Sequence, residues 1–341
     1  MDKCLFISKS ALEYNIDFYL KKTNKKIISI IKNNAYGHGV KEVISILENK
    51  DITMYGVSNY KEALEVSKYT NRDILILDKL ESYLDLKDNM VVTVISKKHL
   101  KQLVELNLKI RVHLKINIGL KRKGIDASEI EECIELIKNS KLVLEGVYTH
   151  YSSHKIGILK KEFSAFKRVV DKLENKDIYI HASSSISSLV LEENVTNVIR
   201  VGVGMYGLKK LDKKMYPLKI VSELKCESKN SYPINCFDKF GYDNRYIGKK
   251  GYIVVTNIGY GDGLFYKERI KGYIENSYIK EIGIRNMDNM FFYSRDYIME
   301  NSLIEIYGKH NKIDDLSKRT HISVCRILAL LNANIDKKII D

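Results

Sequence analysis

Eight short runs of β-branched and apolar residues recur through the first 205 residues, and this recurrence constrains the fold more than any other feature. They are Ile27–Lys32, Met54–Ser58, Asp73–Leu77, Met90–Ile95, Ile110–Ile116, Leu144–Thr149, Asp177–His181 and Asn197–Val201. Segments with helical spacing lie between most of them, such as Lys61–Lys68, Lys97–Leu106, Ser128–Ile137 and Lys160–Leu173. Strands that alternate with helices build parallel βα units. Eight such units predict an α/β fold in the form of a closed (β/α)8 TIM-type barrel.

The pattern changes after Leu208, and Pro217 follows. The β-like runs Leu218–Glu227, Gly251–Ile258, Ile279–Ile284 and Ser302–Tyr307 then dominate, with little helical pattern before Val324–Asn332. We therefore expect a barrel over residues 1–215 and a smaller, mostly β C-terminal domain over 216–341, the first few residues being free to pack with the latter.

The formal net charge of +14 raises the question of a nucleic-acid partner. The lysines are dispersed and often adjoin Glu or Asp, and no zinc-finger spacing or RNP-like aromatic motif accompanies them, so no nucleic-acid partner is expected. No apolar run approaches the ~20 residues needed to span a bilayer. The start, MDKCLFISKSALEYN, lacks a signal-peptide apolar region. The five cysteines are scattered, without a C-x-x-C pair. A cytoplasmic protein with reduced thiols, no metal and no membrane association is expected.

In such a barrel, chemistry sits at the C-terminal ends of the strands. The first run ends in Lys32, then Asn-Asn-Ala-Tyr-Gly-His-Gly. A lysine closing an apolar strand either emerges to solvent or is used by a ligand. The sixth run leads to His150 and the seventh to His181-Ala-Ser-Ser-Ser185. The eighth carries Arg200, a fixed cation with no acid beside it in sequence, then Gly202-Val203-Gly204-Met205-Tyr206-Gly207. This G-x-G-x-x-G opens no βαβ unit, so a dinucleotide fingerprint is not the reading. Backbone amides after strands seven and eight suit a phosphate instead.

Taken together, these residues resemble the alanine racemase family of fold-type III pyridoxal 5'-phosphate enzymes. The segment Ile31-Lys32-Asn33-Asn34-Ala35-Tyr36-Gly37-His38-Gly39 carries most of the resemblance; Ser10–Asn15, Thr149-His150-Tyr151, Arg200 to Gly207, Ile258–Gly263 and Gly283 to Asp288 extend it over nearly the whole chain. The resemblance implies a racemase that interconverts L- and D-alanine, the D-isomer serving as a peptidoglycan precursor. It implies that Lys32 binds the cofactor covalently and that Tyr260, supplied by the other subunit of a homodimer, is the opposing acid–base. His150 would orient that tyrosine and connect to Arg200, which would meet the pyridine nitrogen. Ser185, the Gly202 and Val203 amides and Tyr36 would hold the phosphate. Arg122 and the backbone near Met287 would contact the substrate carboxylate, and Lys115 stands where the family often carries a carbamylated lysine.

Removing a proton from one face of a carbon and returning it to the other requires two groups on opposite faces. Lysine and tyrosine both titrate near ~10, so each needs surroundings that favour its deprotonated form. The chain departs from the family at Asn117 and Lys121 beside Arg122, at Ser184, and at Val324-Cys325, where a tyrosine is usual. A smaller residue there leaves room for serine as well as alanine. A racemase of serine or another amino acid, a decarboxylase on the same scaffold, and a non-catalytic pyridoxal-phosphate-binding protein remain the alternatives.

Overall fold

The computed structural model of the chain describes residues 2–80, 83, 85–207, 210, 211 and 214–341; Leu208, where the pattern was expected to change, lies outside them. The described residues form two compact units, one within 11–35 and 43–219 and one within 2–10, 36–42 and 220–341.

The first unit is an eight-stranded parallel barrel. With Lys3–Ser8 numbered β1, its strands are β2 (Lys26–Ile30), β3 (Met54–Val57), β4 (Asp73–Ile76), β5 (Met90–Val94), β6 (Arg111–Lys115), β7 (Val143–Tyr148), β8 (Tyr179–Ser184) and β9 (Val198–Val201). They pair in sequence order, and β9 closes onto β2 in the register Ile28 to Arg200. All eight overlap the β-branched runs, because strands covered on both faces favour apolar sequence, although β8 continues past His181 to Ser184. Ile28, Leu75, Val92, Leu114 and Val147 are buried completely.

The intervening helices include Tyr60–Val66, Lys97–Glu105, Ile130–Lys138 and Ile156–Val170. Asn59 and Ser96 cap the first two by accepting from the Glu62 and His99 amides at 3.0 and 3.1 Å. The helix Lys9–Thr23 buries Leu12, Asn15, Ile16 and Tyr19, one face at helical spacing. At the strand starts, Arg111 grips Asp73 with two nitrogens at 2.6 and 2.7 Å and Glu145 at 2.6 Å, tying β4, β6 and β7. That forked ion pair belongs to the face that carries stability rather than chemistry.

The second unit is an eight-stranded sheet built from β1 and β10 (Ser222–Ile234), β11 (Gly251–Thr256), β12 (Lys271–Ile274), β13 (Ser277–Ile282), β14 (Met290–Ser294), β15 (Leu303–Tyr307) and β16 (Asp336–Ile340). Its order is β11-β14-β13-β12-β15-β10-β1-β16. The 13-residue β10 is long enough to pair with β1, β15 and β11. A helix over Ile313–Thr320 precedes the expected one, which spans Val324–Ala329. The polar run Asp314-Asp315…Lys318-Arg319 conceals it, since only Ile313, Leu316 and Thr320 are buried. No helix among the described residues is long and apolar enough to cross a membrane.

Candidate active site

Lys32 does not close its strand as expected. Strand β2 stops at Ile30, and Lys32 opens a turn in which Asn33, Asn34, Ala35 and Tyr36 all have φ between 50° and 54°. A run of four non-glycine residues in the left-handed region is strained, by roughly 1–2 kcal/mol per residue, less for asparagine. Glu62 holds the turn: its two carboxylate oxygens accept from the Asn33 and Ser58 amides, each at 2.7 Å. Strain maintained by surrounding contacts marks positions where geometry matters for function. Lys32 itself is half-buried.

Arg200 on β9 is buried, and among the described residues no carboxylate lies within ion-pair distance of it. Its Nη1 donates to His181 Nδ1 at 2.7 Å. Its Nη2 faces the carbonyls of Thr149 and Ala182, both at 2.8 Å, and His150 Nδ1 at 3.0 Å. A guanidinium can only donate, so both Nδ1 atoms accept and both rings carry their proton on Nε2. His181 Nε2 then donates to His113 Nδ1 at 2.9 Å. The Tyr148 ring lies flat on His181 at 4.6 Å, with the Arg200 guanidinium 5.1 Å from its centre. Burial lowers Arg200 to about 10, so it stays charged at neutral pH. Burial first, then the nearby cations, push His150 and His113 down to about 3 and His181 well below the usual imidazole range. The cluster is one cation among neutral imidazoles.

Beside it, the end of β8 and the turn after β9 form a cradle. Ser185 Oγ accepts from the Gly202 amide at 3.0 Å and the Gly204 amide at 3.2 Å. Asn15 fastens this turn to helix Lys9–Thr23 by donating to the Met205 and Lys219 carbonyls at 2.9 and 2.8 Å. Gly204 is obligatory, since a Cβ there would lie 2.1 Å from Tyr19 Oη.

Lys115, at the end of β6, is buried and lowered to about 8, by burial first and then by Arg122, Arg200 and Lys123. Its Nζ lies 5.8 Å from the Tyr148 ring centre. Arg122 is exposed and forms no ion pair among the described residues. In the second unit, Tyr260 is 40 % exposed. Its amide donates to Asn286 O at 3.0 Å and that of Gly261 to Met287 O at 2.9 Å, so the Tyr260 turn rests on the backbone at Met287. Asp262 ties the turn by accepting from the Gly259 amide at 3.0 Å and from Lys3 at 2.7 Å. Tyr36, in the same unit, is raised to about 12 by burial and by the neighbouring Cys325 thiol.

The barrel thus unites His150 with Arg200 and Ser185 with Gly202, while Tyr260 and Met287 meet in the second unit. Residues 7–210 match the family described as alanine racemase, N-terminal domain. The chain belongs to the alanine racemase family. The alanine racemase of Fusobacterium nucleatum is 31% identical over 274 residues, covering 76% of each chain. Among solved structures, the alanine racemase of Clostridium difficile 630 superposes with a TM-score of 0.90 at 22% identity, covering 100% of this chain and 96% of that one. The histidine racemase of Leuconostoc mesenteroides gives 0.89 at 19% identity, covering 100% and 98%. These two similarities establish the fold, and the family match supports a racemase activity.

Sequence reasoning passed over His113, Tyr148 and Tyr19, and gave His181 no role of its own. The one available signal was a histidine inside each of two apolar strands, an expensive place for a polar ring unless it is paired.

Proposed function

We propose that this chain is a pyridoxal-phosphate-dependent racemase of alanine, working as a cytoplasmic homodimer in which Tyr260 of one copy serves the barrel of the other. The buried, uncompensated Arg200 carries this reading. A cation held by carbonyls and neutral imidazoles retains its full charge for a ligand acceptor, and a pyridine nitrogen is such an acceptor. The adjacent cradle of Ser185 Oγ and glycine amides, too tight for any Cβ at Gly204, fits a phosphate. Bound there, the cofactor supplies an electron sink that acidifies the substrate Cα–H.

The chain's own groups do the rest. Lys32 anchors the cofactor and moves a proton at Nζ on one face, and Tyr260 moves one at Oη on the other. His150, neutral and hydrogen-bonded to Arg200, keeps its Nε2–H to orient that phenol. Arg200 stays protonated and would donate to the pyridine nitrogen without giving up its proton, which would moderate the electron sink and favour racemisation over transamination. Tyr36 and the Val203 amide join the phosphate contacts; Arg122 and the backbone at Met287 take the substrate carboxylate. Because Cys325 is smaller than a tyrosine, serine is the second substrate.

The test is chiral analysis of purified protein with the cofactor and L-alanine, then L-serine, alongside Lys32→Ala and Tyr260→Phe. D-alanine that both variants fail to make supports the proposal. Cofactor binding without interconversion of either amino acid refutes it in favour of a non-catalytic binding protein.

A further inference from the structure

Tyr19 is a phenol with no role in the reading above. It comes from helix Lys9–Thr23, is completely buried, and among the described residues its hydroxyl completes no hydrogen bond of good geometry, although the Ser185 side chain adjoins it. An orphaned buried hydroxyl costs roughly 1–3 kcal/mol. A phenylalanine would fill the same space without that cost. The hydroxyl sits at the cradle: Tyr19 Oη and Ser185 Cβ lie 2.1 and 2.9 Å from one point, the place of a Cβ on Gly204.

Counting donors and acceptors indicates what the hydroxyl is for. Ser185 Oγ has two lone pairs and one proton. In the structure both lone pairs are taken, by the Gly202 and Gly204 amides. An anionic phosphate is the stronger acceptor and draws those amides to itself. Ser185 Oγ then has no donor, while Tyr19 beside it has no acceptor.

We infer that Tyr19 is a positioning residue of the phosphate cradle, which donates its hydroxyl proton to Ser185 Oγ once the Gly202 and Gly204 amides turn to a bound phosphate monoester, so that Ser185 gives its own proton to that phosphate. Each donor then has an acceptor in the phosphate-bound cradle, the Tyr19 hydroxyl included. Burial raises the Tyr19 phenol well above its usual range, so it keeps the proton it must donate at any working pH. The inference rests on the proposal that the cradle takes the phosphate of the cofactor.

The experiment is equilibrium titration of cofactor-free protein with pyridoxal phosphate and with pyridoxal, which lacks the phosphate, followed by absorbance and fluorescence. Tyr19→Phe keeps the ring and the packing. It should weaken pyridoxal phosphate about tenfold, the scale of one net hydrogen bond, and leave pyridoxal unchanged. In a Ser185→Ala background the same substitution should have no further effect, since the partner is gone. Unchanged pyridoxal phosphate affinity in Tyr19→Phe, or equal weakening of both ligands, overturns the role of Tyr19 alone. Wild-type protein that does not prefer pyridoxal phosphate to pyridoxal overturns the cradle itself.

Discussion

Arg200 and His181 are joined by a hydrogen bond of 2.7 Å whose direction is fixed, because the guanidinium has nothing but protons to offer. The bond sets the tautomer of His181 and, through it, that of His113. Removing the acceptor leaves a buried charged donor unpaired. His181→Leu should therefore destabilise the fold by about 2–4 kcal/mol and lower racemisation at least tenfold, measured by urea unfolding and by chiral analysis. His181→Asn, which keeps an acceptor, should recover part of both. Equal behaviour of the two variants would show that His181 acts only by filling space.

The buried imidazoles make an acid-labile core. His99, His113, His150 and His181 all titrate below the ordinary imidazole value, His99 near 4 and His113 and His150 near 3. The unfolded chain therefore takes up their protons first, near ~6.5. Their neutral burial costs nothing above that pH, and stability falls as pH drops below it, by up to about 1.4 kcal/mol per pH unit for each histidine. The unfolding midpoint should fall between pH 6.5 and 5, a window in which the carboxylates barely titrate. A flat profile there would contradict neutral histidines in the fold.

Lys115 is chemically poised. With its ammonium lowered to about 8, a substantial fraction is free amine at pH 8, where an ordinary lysine is almost wholly protonated. A free amine adds to carbon dioxide with loss of a proton, and the resulting carbamate anion would stand among Arg122, Arg200 and Lys123. Protein equilibrated with 13C-bicarbonate at pH 8 should show a carbamate carbon signal that Lys115→Ala abolishes. Its absence in wild-type protein would rule out the modification.

Gly204 and Tyr19 compete for one space. Gly204→Ala should cost about 1–3 kcal/mol, the usual penalty of overpacking a core, because the atom it meets belongs to a ring with nowhere to go. Tyr19→Leu, added to Gly204→Ala, should restore part of the loss. A double variant no more stable than Gly204→Ala alone, by urea unfolding, would place the strain elsewhere.

Much of the barrel was legible because runs such as Met90–Val94 and Arg111–Lys115 are too short for helices, rich in β-branched or apolar residues, and alternate with helical patterns. The Lys32 segment was legible from its motif, yet its left-handed path was not, since asparagine tolerates that conformation without requiring it. Short strands such as Lys271–Ile274 were missed for lack of periodicity. The His113–His181 bond joins residues 68 apart, and Tyr19 lies beside Ser185 across a still longer span. Such meetings are decided by barrel closure; local sequence shows a histidine in each of two apolar strands but not that the two meet.

Strand β1 pairs antiparallel with β10 and parallel with β16, and Ser8 and Ser10 donate to Asp341 at 2.8 and 3.0 Å. On the ribosome, the strand translated first in its sheet thus waits for β10, beyond the whole barrel sequence, and then for β16, the last strand of the sheet. At 5–20 residues per second, that wait is on the order of tens of seconds. Almost all of the barrel sequence emerges in the interval, while Leu5 and Ile7 remain on a strand with two open edges. For that interval both edges of β1 are open to pairing with another chain, a consequence of the order of strands in one sheet.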